Sequence, residues 1–171
     1  MPPPLLGLLS DTHGHADRAA AAVRALRAGG ATLILHLGDV GSEAVLEELV
    51  GTNARVVFGN CDDETLLRRH AERLGIAVDH PLGRLEFEGV RIAYSHGHLP
   101  HLLEQAQRDG VDWLFHGHTH VIRDEVRGAT RIVNPGALHR AERYTVALVD
   151  LAAARSLPAA RSAVRVIDVA G

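Results

Sequence analysis

The sequence predicts an α/β fold, one domain over residues 1–171, in which two sheets pack face to face with helices on their outer sides. Through residue 74 short apolar runs alternate with segments of helical periodicity, the pattern of βαβ units and a parallel sheet. Beyond residue 84 the chain turns β-rich, with hairpin turns at Glu88-Gly89 and Arg127-Gly128. Two packed, helix-flanked sheets satisfy both halves. A third observation concerns where the runs end: strand after strand gives way to a polar loop bearing Asp, Asn or His.

Leu5 to Leu9 reads as a buried first strand, ending in Ser10-Asp11-Thr12-His13-Gly14-His15. From Asp17 to Ala28 alanines, Val23 and Leu26 recur at helical spacing between arginines, and Gly29-Gly30 suits the turn past a helix end. Thr32 to Leu37 is a second strand, running into Gly38-Asp39-Val40-Gly41. Ser42 is placed to cap a helix from Glu43 to Val50. Arg55 to Phe58 is a third strand leading into Gly59-Asn60-Cys61-Asp62, and a helix-prone stretch follows from Asp62 to Leu74.

Arg84 to Phe87 and Val90 to Tyr94 form a hairpin whose second arm ends at Ser95-His96-Gly97-His98. Pro100 opens a helix through about Arg108. A strand from Val111 to Phe115 precedes His116-Gly117-His118-Thr119-His120, where Gly117 allows a sharp turn. Val121 to Val126 and Thr130 to Val133 make the second hairpin, ending in Asn134-Pro135-Gly136. Tyr144 to Leu151 and Val164 to Val169 are the last strands, joined by a weakly specified connection, Ala152 to Ser162, read as a loop.

Composition excludes several classes. Apolar residues make up 46% and charged residues 23%, ordinary values for a globular protein. The net charge of -3 supplies no basic field for nucleic acid, and all 18 basic residues are arginine. Cys61 is the single cysteine, so no internal disulfide forms and a reducing interior is expected. The opening Met1-Pro2-Pro3-Pro4-Leu5 lacks a basic region and long apolar run, and no segment has the ~18 apolar residues that cross a bilayer. The expectation is a cytoplasmic protein without a membrane partner.

The loops collect Asp11, His13, Asp39, Asn60, His96, His98, His116, His118 and His120. Alternate residues of an extended chain point the same way, so a strand end can aim two imidazoles at one point. Carboxylate, amide oxygen and imidazole together suit Mn²⁺, Fe, Zn²⁺, Co²⁺ or Ni²⁺. So many ligands exceed one four-coordinate ion and suit two, about 3.5–4 Å apart and bridged by a carboxylate. Such a pair can hold a hydroxide that attacks a phosphate ester.

Asp11-Thr12-His13, Gly38-Asp39, Gly59-Asn60-Cys61-Asp62, His96-Gly97-His98 and Gly117-His118-Thr119-His120 together resemble the calcineurin-like metallophosphoesterase superfamily. The likeness is to its small YfcE/MJ0936-type phosphodiesterase branch and runs, in the family's order, from Asp11 to Asn134-Pro135-Gly136. The resemblance implies a four-layer α-β-β-α sandwich of two mixed sheets, with Asp11, His13 and His120 on one metal, Asp39 bridging, and Asn60, His96 and His118 on the second. Manganese is the first expectation for the two divalent ions, with Ni, Fe, Zn or Co as alternatives. A small phosphate-ester substrate, hydrolysed by a dinuclear phosphodiesterase or phosphatase, is implied in turn, and a homo-oligomer is compatible with the family.

One position departs from the wider superfamily. Cys61 stands where Gly-Asn-His-Asp has the histidine thought to protonate the leaving group, a replacement also common in the small branch. Cys61 and His98 are the catalytic-acid candidates, and a leaving group stable as an anion needs neither. His15, His98 and His116 are candidates for orienting the ligands, and Asn134 for orienting the loop. His36, His70, His80, His101 and His139 fit no motif and are read as surface or packed histidines; Arg140 and Arg143 meet a phosphate or stay solvated.

Other readings compete with catalysis. Gly-Asp and Gly-Asn pairs are common turns, and Asp11 could cap a helix, but neither role accounts for His13 or the later histidines. A non-catalytic scaffold on the same fold, as in the retromer subunit that resembles this family, need not retain the ligands; here all seven positions are filled.

Overall fold

The computed structural model describes residues 5–87, 89–156 and 163–170. The first half builds β1 (Leu5–Leu9), α1 (Ala16–Ala28), β2 (Ala31–His36), α2 (Glu43–Glu47), β3 (Ala54–Val56), α3 (Glu64–Leu74) and β4 (Ala77–Val78). The second half builds β5 (Leu82–Phe87), β6 (Val90–Ser95), α4 (Pro100–Arg108), β7 (Trp113–Phe115), β8 (Arg123–Arg127), β9 (Thr130–Asn134), β10 (Thr145–Asp150), α5 (Leu151–Ser156) and β11 (Val164–Asp168). Two sheets result, ordered β11-β10-β1-β2-β3-β4 and β5-β6-β7-β9-β8. β1 to β4 run parallel with β10 and β11 antiparallel beside them. In the second sheet β6, β7 and β9 are parallel, flanked by antiparallel β5 and β8.

Alternation along the strands produces the layers. Leu6, Leu8, Leu35 and Leu37 of the first sheet meet Ile92, Tyr94, Trp113 and Phe115 of the second in one buried cluster. The opposite face of the first sheet packs Leu9, Ile34 and Val146 against Leu26 of α1, Leu46 of α2 and Leu67 of α3. The outer face of the second sheet packs Ala93, Leu114 and Ile132 against Ala106 of α4. The order is therefore helix, sheet, sheet, helix, as expected. Because both faces of each sheet are covered, the parallel strands read as near-continuous apolar runs.

The differences from sequence are local. The helix after Ser42 stops at Glu47 and continues as a turn, and the Ser42 hydroxyl makes no cap bond and has no partner. Asp63 instead caps α3, accepting from Leu66 N at 3.0 Å. β4 has only two residues, too short for a periodic signal. Where a loop was expected from Ala152, the chain forms α5, with Asp150 Oδ1 accepting from Ala152 N and Ala153 N. The remainder of that connection, 157–162, and Glu88 in the first hairpin turn lie outside the described residues.

Candidate metal centre

The carboxyl ends of β1, β2, β3, β6 and β7 deliver Asp11 and His13, Asp39, Asn60, His96, and His118 with His120. This is the edge at which parallel sheets gather function. Their loops bend sharply. Among the described residues, six non-glycine positions have positive φ, and five are Asp11, His13, Asp39, His118 and His120. Such backbone is disfavoured for side-chain-bearing residues and persists where the surroundings dictate it. Gly117 is not among the positive-φ glycines. Its small size matters because a Cβ there would stand 1.9 Å from Ser10 Oγ and 2.7 Å from Asp11 Oδ2. Gly59 has the same role beside Asp39, where a Cβ would fall 2.0 Å from Oδ1.

Each carboxylate divides its oxygens. Asp11 Oδ2 accepts from Ser10 Oγ at 2.6 Å and His118 N at 3.1 Å, whereas Oδ1 has no hydrogen-bond partner. Asp39 Oδ1 accepts from Cys61 N at 3.0 Å, and Oδ2 faces His13 Nε2 at 3.3 Å and His96 Nε2 at 3.4 Å. Asp11 Oδ1 in turn lies 3.2 Å from His120 Nε2, 3.9 Å from His13 Nε2 and 4.0 Å from His96 Nε2. His13 Nε2 and His96 Nε2 are also buried without a hydrogen bond.

Buried polar atoms left unpaired and facing one another need a partner, and a cation is the one that satisfies carboxylate and imidazole lone pairs together. Ligands about 2.0–2.1 Å from an ion in tetrahedral array stand roughly 3.3 Å apart, matching the shorter of these separations. Asp11, His13 and His120 form one triad of ligand atoms within 4.8 Å; Asp11, Asp39 and His96 form another, and His13, Asp39 and Cys61 a third. The residues fit a metal.

Supporting groups aim the ligands. His96 Nδ1–H donates to Leu37 O at 2.8 Å, which leaves the Nε2 lone pair for the centre. His120 Nδ1 faces Arg140 O at 3.4 Å in the same sense. His36, fully buried, accepts from Gly38 N at Nδ1 (3.2 Å), so its Nε2–H donates to Thr12 Oγ1 (2.9 Å), whose own proton goes to Val40 O (2.9 Å). That relay locks the loop of Asp11 to the loop of Asp39. Asp62 ties the loop of Asp39 to that of Asn60, accepting from Val40 N (3.1 Å), Gly41 N (2.8 Å) and Gly59 N (2.8 Å). Asn134 Nδ2 donates to Gly117 O at 2.9 Å and Thr119 Oγ1 at 3.0 Å, holding the loop of His118 and His120.

Charge follows from this packing. Burial raises the Asp39 pKa, but the His96 imidazole facing its carboxylate, the hydrogen bond from Cys61 N and the nearby His13 outweigh it and hold the carboxyl well below the usual range. Burial opposes charge on His96, yet Asp39 and Asp11 raise its pKa above the ordinary value. His36 is pushed down to about 3, first by burial and then by His96, and is neutral at pH 7. His98 is lowered by burial and by the neighbouring histidines His96 and His118. Desolvation and the charge of Asp39 push the Cys61 thiol up.

The candidates are not equally gathered. His118 belongs to none of the three triads; it is exposed, with its ring 5.1 Å from that of His96. Asn60 is exposed at the end of β3, its amide 3.5 Å from Cys61 Sγ. Cys61 Sγ joins a triad, and His98 stands behind His96 with its Nδ1 buried and unbonded. Of the proposed orienting histidines, His116 bonds Gly117 O and Arg123, while His15 pairs with His139 at 3.1 Å. His139, expected from the sequence as a surface or packed histidine, packs with its ring 4.6 Å from that of His13. It follows the Asn134-Pro135-Gly136 turn, and only that turn's proximity to the centre could have flagged it.

The calcineurin-like phosphoesterase superfamily domain matches residues 5–154, so the chain belongs to that superfamily of metal-dependent phosphoesterase hydrolases. It is 28% identical over 137 residues to Phosphodiesterase MJ0936 of Methanocaldococcus jannaschii, a match covering 77% of this chain and 82% of that protein. It superposes on the structure of an archaeal phosphodiesterase with TM-score 0.80 and 24% identity, over 96% of this chain and 99% of the other. The zinc complex of Vps29 from Entamoeba histolytica shares the fold at TM-score 0.64 and 16% identity, over 96% and 98% of the two chains. Among the described residues no helix is long and apolar enough to cross a membrane.

Proposed function

We propose that this chain is a cytoplasmic, dinuclear metal-dependent phosphodiesterase that hydrolyses a small phosphate ester, with manganese its first-choice metal. The observation that carries the reading is the convergence of unpaired buried ligand atoms: Asp11 Oδ1, His13 Nε2 and His96 Nε2, with Asp39 Oδ2 midway between the two histidines. In this assignment Asp11, His13 and His120 hold one ion, Asp39 is shared, and His96 with Asn60 and His118 holds the other. Two bound ions supply Lewis acidity toward phosphoryl oxygens and an activated water at neutral pH. Residues 1–171 are read as a single metallophosphoesterase domain.

The chain's own residues do the rest. His36, Thr12 and Asp62 keep the carboxylate loops in register, which fixes the spacing of the two ion positions. Of the proton-donor candidates Cys61 is the better placed, since Sγ lies in the ligand cluster and the thiol is held protonated, whereas His98 is held neutral. The test is hydrolysis of bis(p-nitrophenyl) phosphate and p-nitrophenyl phosphate by stripped protein refilled with Mn²⁺, Ni²⁺, Zn²⁺ or Mg²⁺. Metal-dependent diester cleavage, lost in Asp39→Asn and His118→Ala, is expected. Folded protein inert with every metal would overturn the catalytic reading and leave a binding platform.

A further inference from the structure

Val121 and Ile122 follow His120 directly in the chain, and both remain exposed, at 63% and 37%. Neither belongs to the clusters that build the core. Two large apolar side chains left open beside a charged centre mark a contact surface better than a folding requirement. They line a cavity of about 410 Å³ that reaches His120 itself. The segment from Arg140 to Arg143 lines it as well. That volume is typical of small-molecule sites and takes a group of one or two rings.

Arg140 ties this cavity to the metal centre. Its φ of +43° is the sixth non-glycine positive value among the described residues, the other five being ligand positions. The conformation sets its carbonyl 3.4 Å from His120 Nδ1, so the residue that orients a ligand also walls the cavity. The lining charges come close to balance: Arg140 and Arg143 against Glu142, with Arg143 also paired to Asp168 at 3.5 Å. A second phosphate would find no strongly cationic lining. An uncharged ring finds in this lining the methyl groups of Val121 and Ile122 and the guanidinium of Arg140, a planar group of the kind that stacks on aromatic faces.

We propose that this cavity is the subsite for one organic ester group of the substrate, and that it selects phosphodiesters bearing an uncharged aromatic or heteroaromatic group. The proposal rests on the phosphoesterase reading of the adjacent centre. It is tested by binding, without turnover. Phenylphosphonate and methylphosphonate share a headgroup and differ in the ring alone. Metal-loaded protein is expected to bind phenylphosphonate roughly 10-fold more tightly, with shifts at the methyl resonances of Val121 and Ile122. A Val121→Ser/Ile122→Ser variant loses that preference. Arg140→Gly, which suits the left-handed backbone, reduces it.

Equal binding of both phosphonates to the unmodified protein, or a preference that survives in both variants, overturns the subsite and leaves the centre's reading standing. If neither phosphonate binds metal-loaded protein and bis(p-nitrophenyl) phosphate is not cleaved, the reading of the centre fails and the subsite falls with it.

Discussion

His36 makes this protein's stability depend on pH in a way that can be worked out from the structure. Its ring is fully buried, accepts from Gly38 N and donates to Thr12, and its pKa is pushed down to about 3. In the unfolded chain the same imidazole titrates near 6.5. Between those values the unfolded state binds a proton that the native state refuses, so stability is full above about pH 6.5 and falls as pH drops toward 3. At 1.36 kcal/mol per pH unit, the loss from pH 7 to pH 5 due to this one group is about 2 kcal/mol. His36→Gln keeps a donor and an acceptor but removes the titration. Urea unfolding in a chelator, at pH 7 and pH 5, should show the variant less stable at pH 7 but about 2 kcal/mol less sensitive to the acid shift. The other shifted histidines cancel in that comparison. Equal losses in both proteins would refute the claim that His36 is held neutral between the two loops.

Three further outcomes follow from the contacts. Asp62→Asn removes a carboxylate that accepts from Val40 N, Gly41 N and Gly59 N, and should cost about 1–3 kcal/mol by chemical denaturation and weaken metal binding about 10-fold by calorimetry. Gly117→Ala drives a Cβ to 1.9 Å from Ser10 Oγ, so a loss of about 1–3 kcal/mol is expected, read as a lower melting temperature. Phe115→Ala empties a fully buried position between the sheets and should destabilise by about 3–5 kcal/mol while metal stoichiometry, measured on the folded fraction, is unchanged.

Much of this molecule was legible before folding was considered. The alternation of apolar runs and helical periodicity marked the parallel strands, because strands covered on both faces must be apolar throughout. What resisted reading was set by contacts distant in sequence. β4 is a two-residue strand whose only credential is its pairing with β3, and α5 forms where the local pattern is bland. Ser42 has the chemistry of a cap but not the geometry. His139 and His36 carry no motif, yet one packs against His13 and the other joins two loops.

The sequence by itself determined the α/β class, the family and the candidate ligand positions, since residue type and strand-end placement are local properties that survive without coordinates. Tertiary structure decided which atoms face the candidate centre. It assigned Asp11 Oδ2 to Ser10 and His118 N and left Oδ1 for the centre, and it turned His96 so that Leu37 O takes one nitrogen and Asp39 faces the other. It also opened the cavity beside His120. A carboxylate's two oxygens and an imidazole's two nitrogens are equivalent in a sequence; only the neighbours brought by the fold make them different.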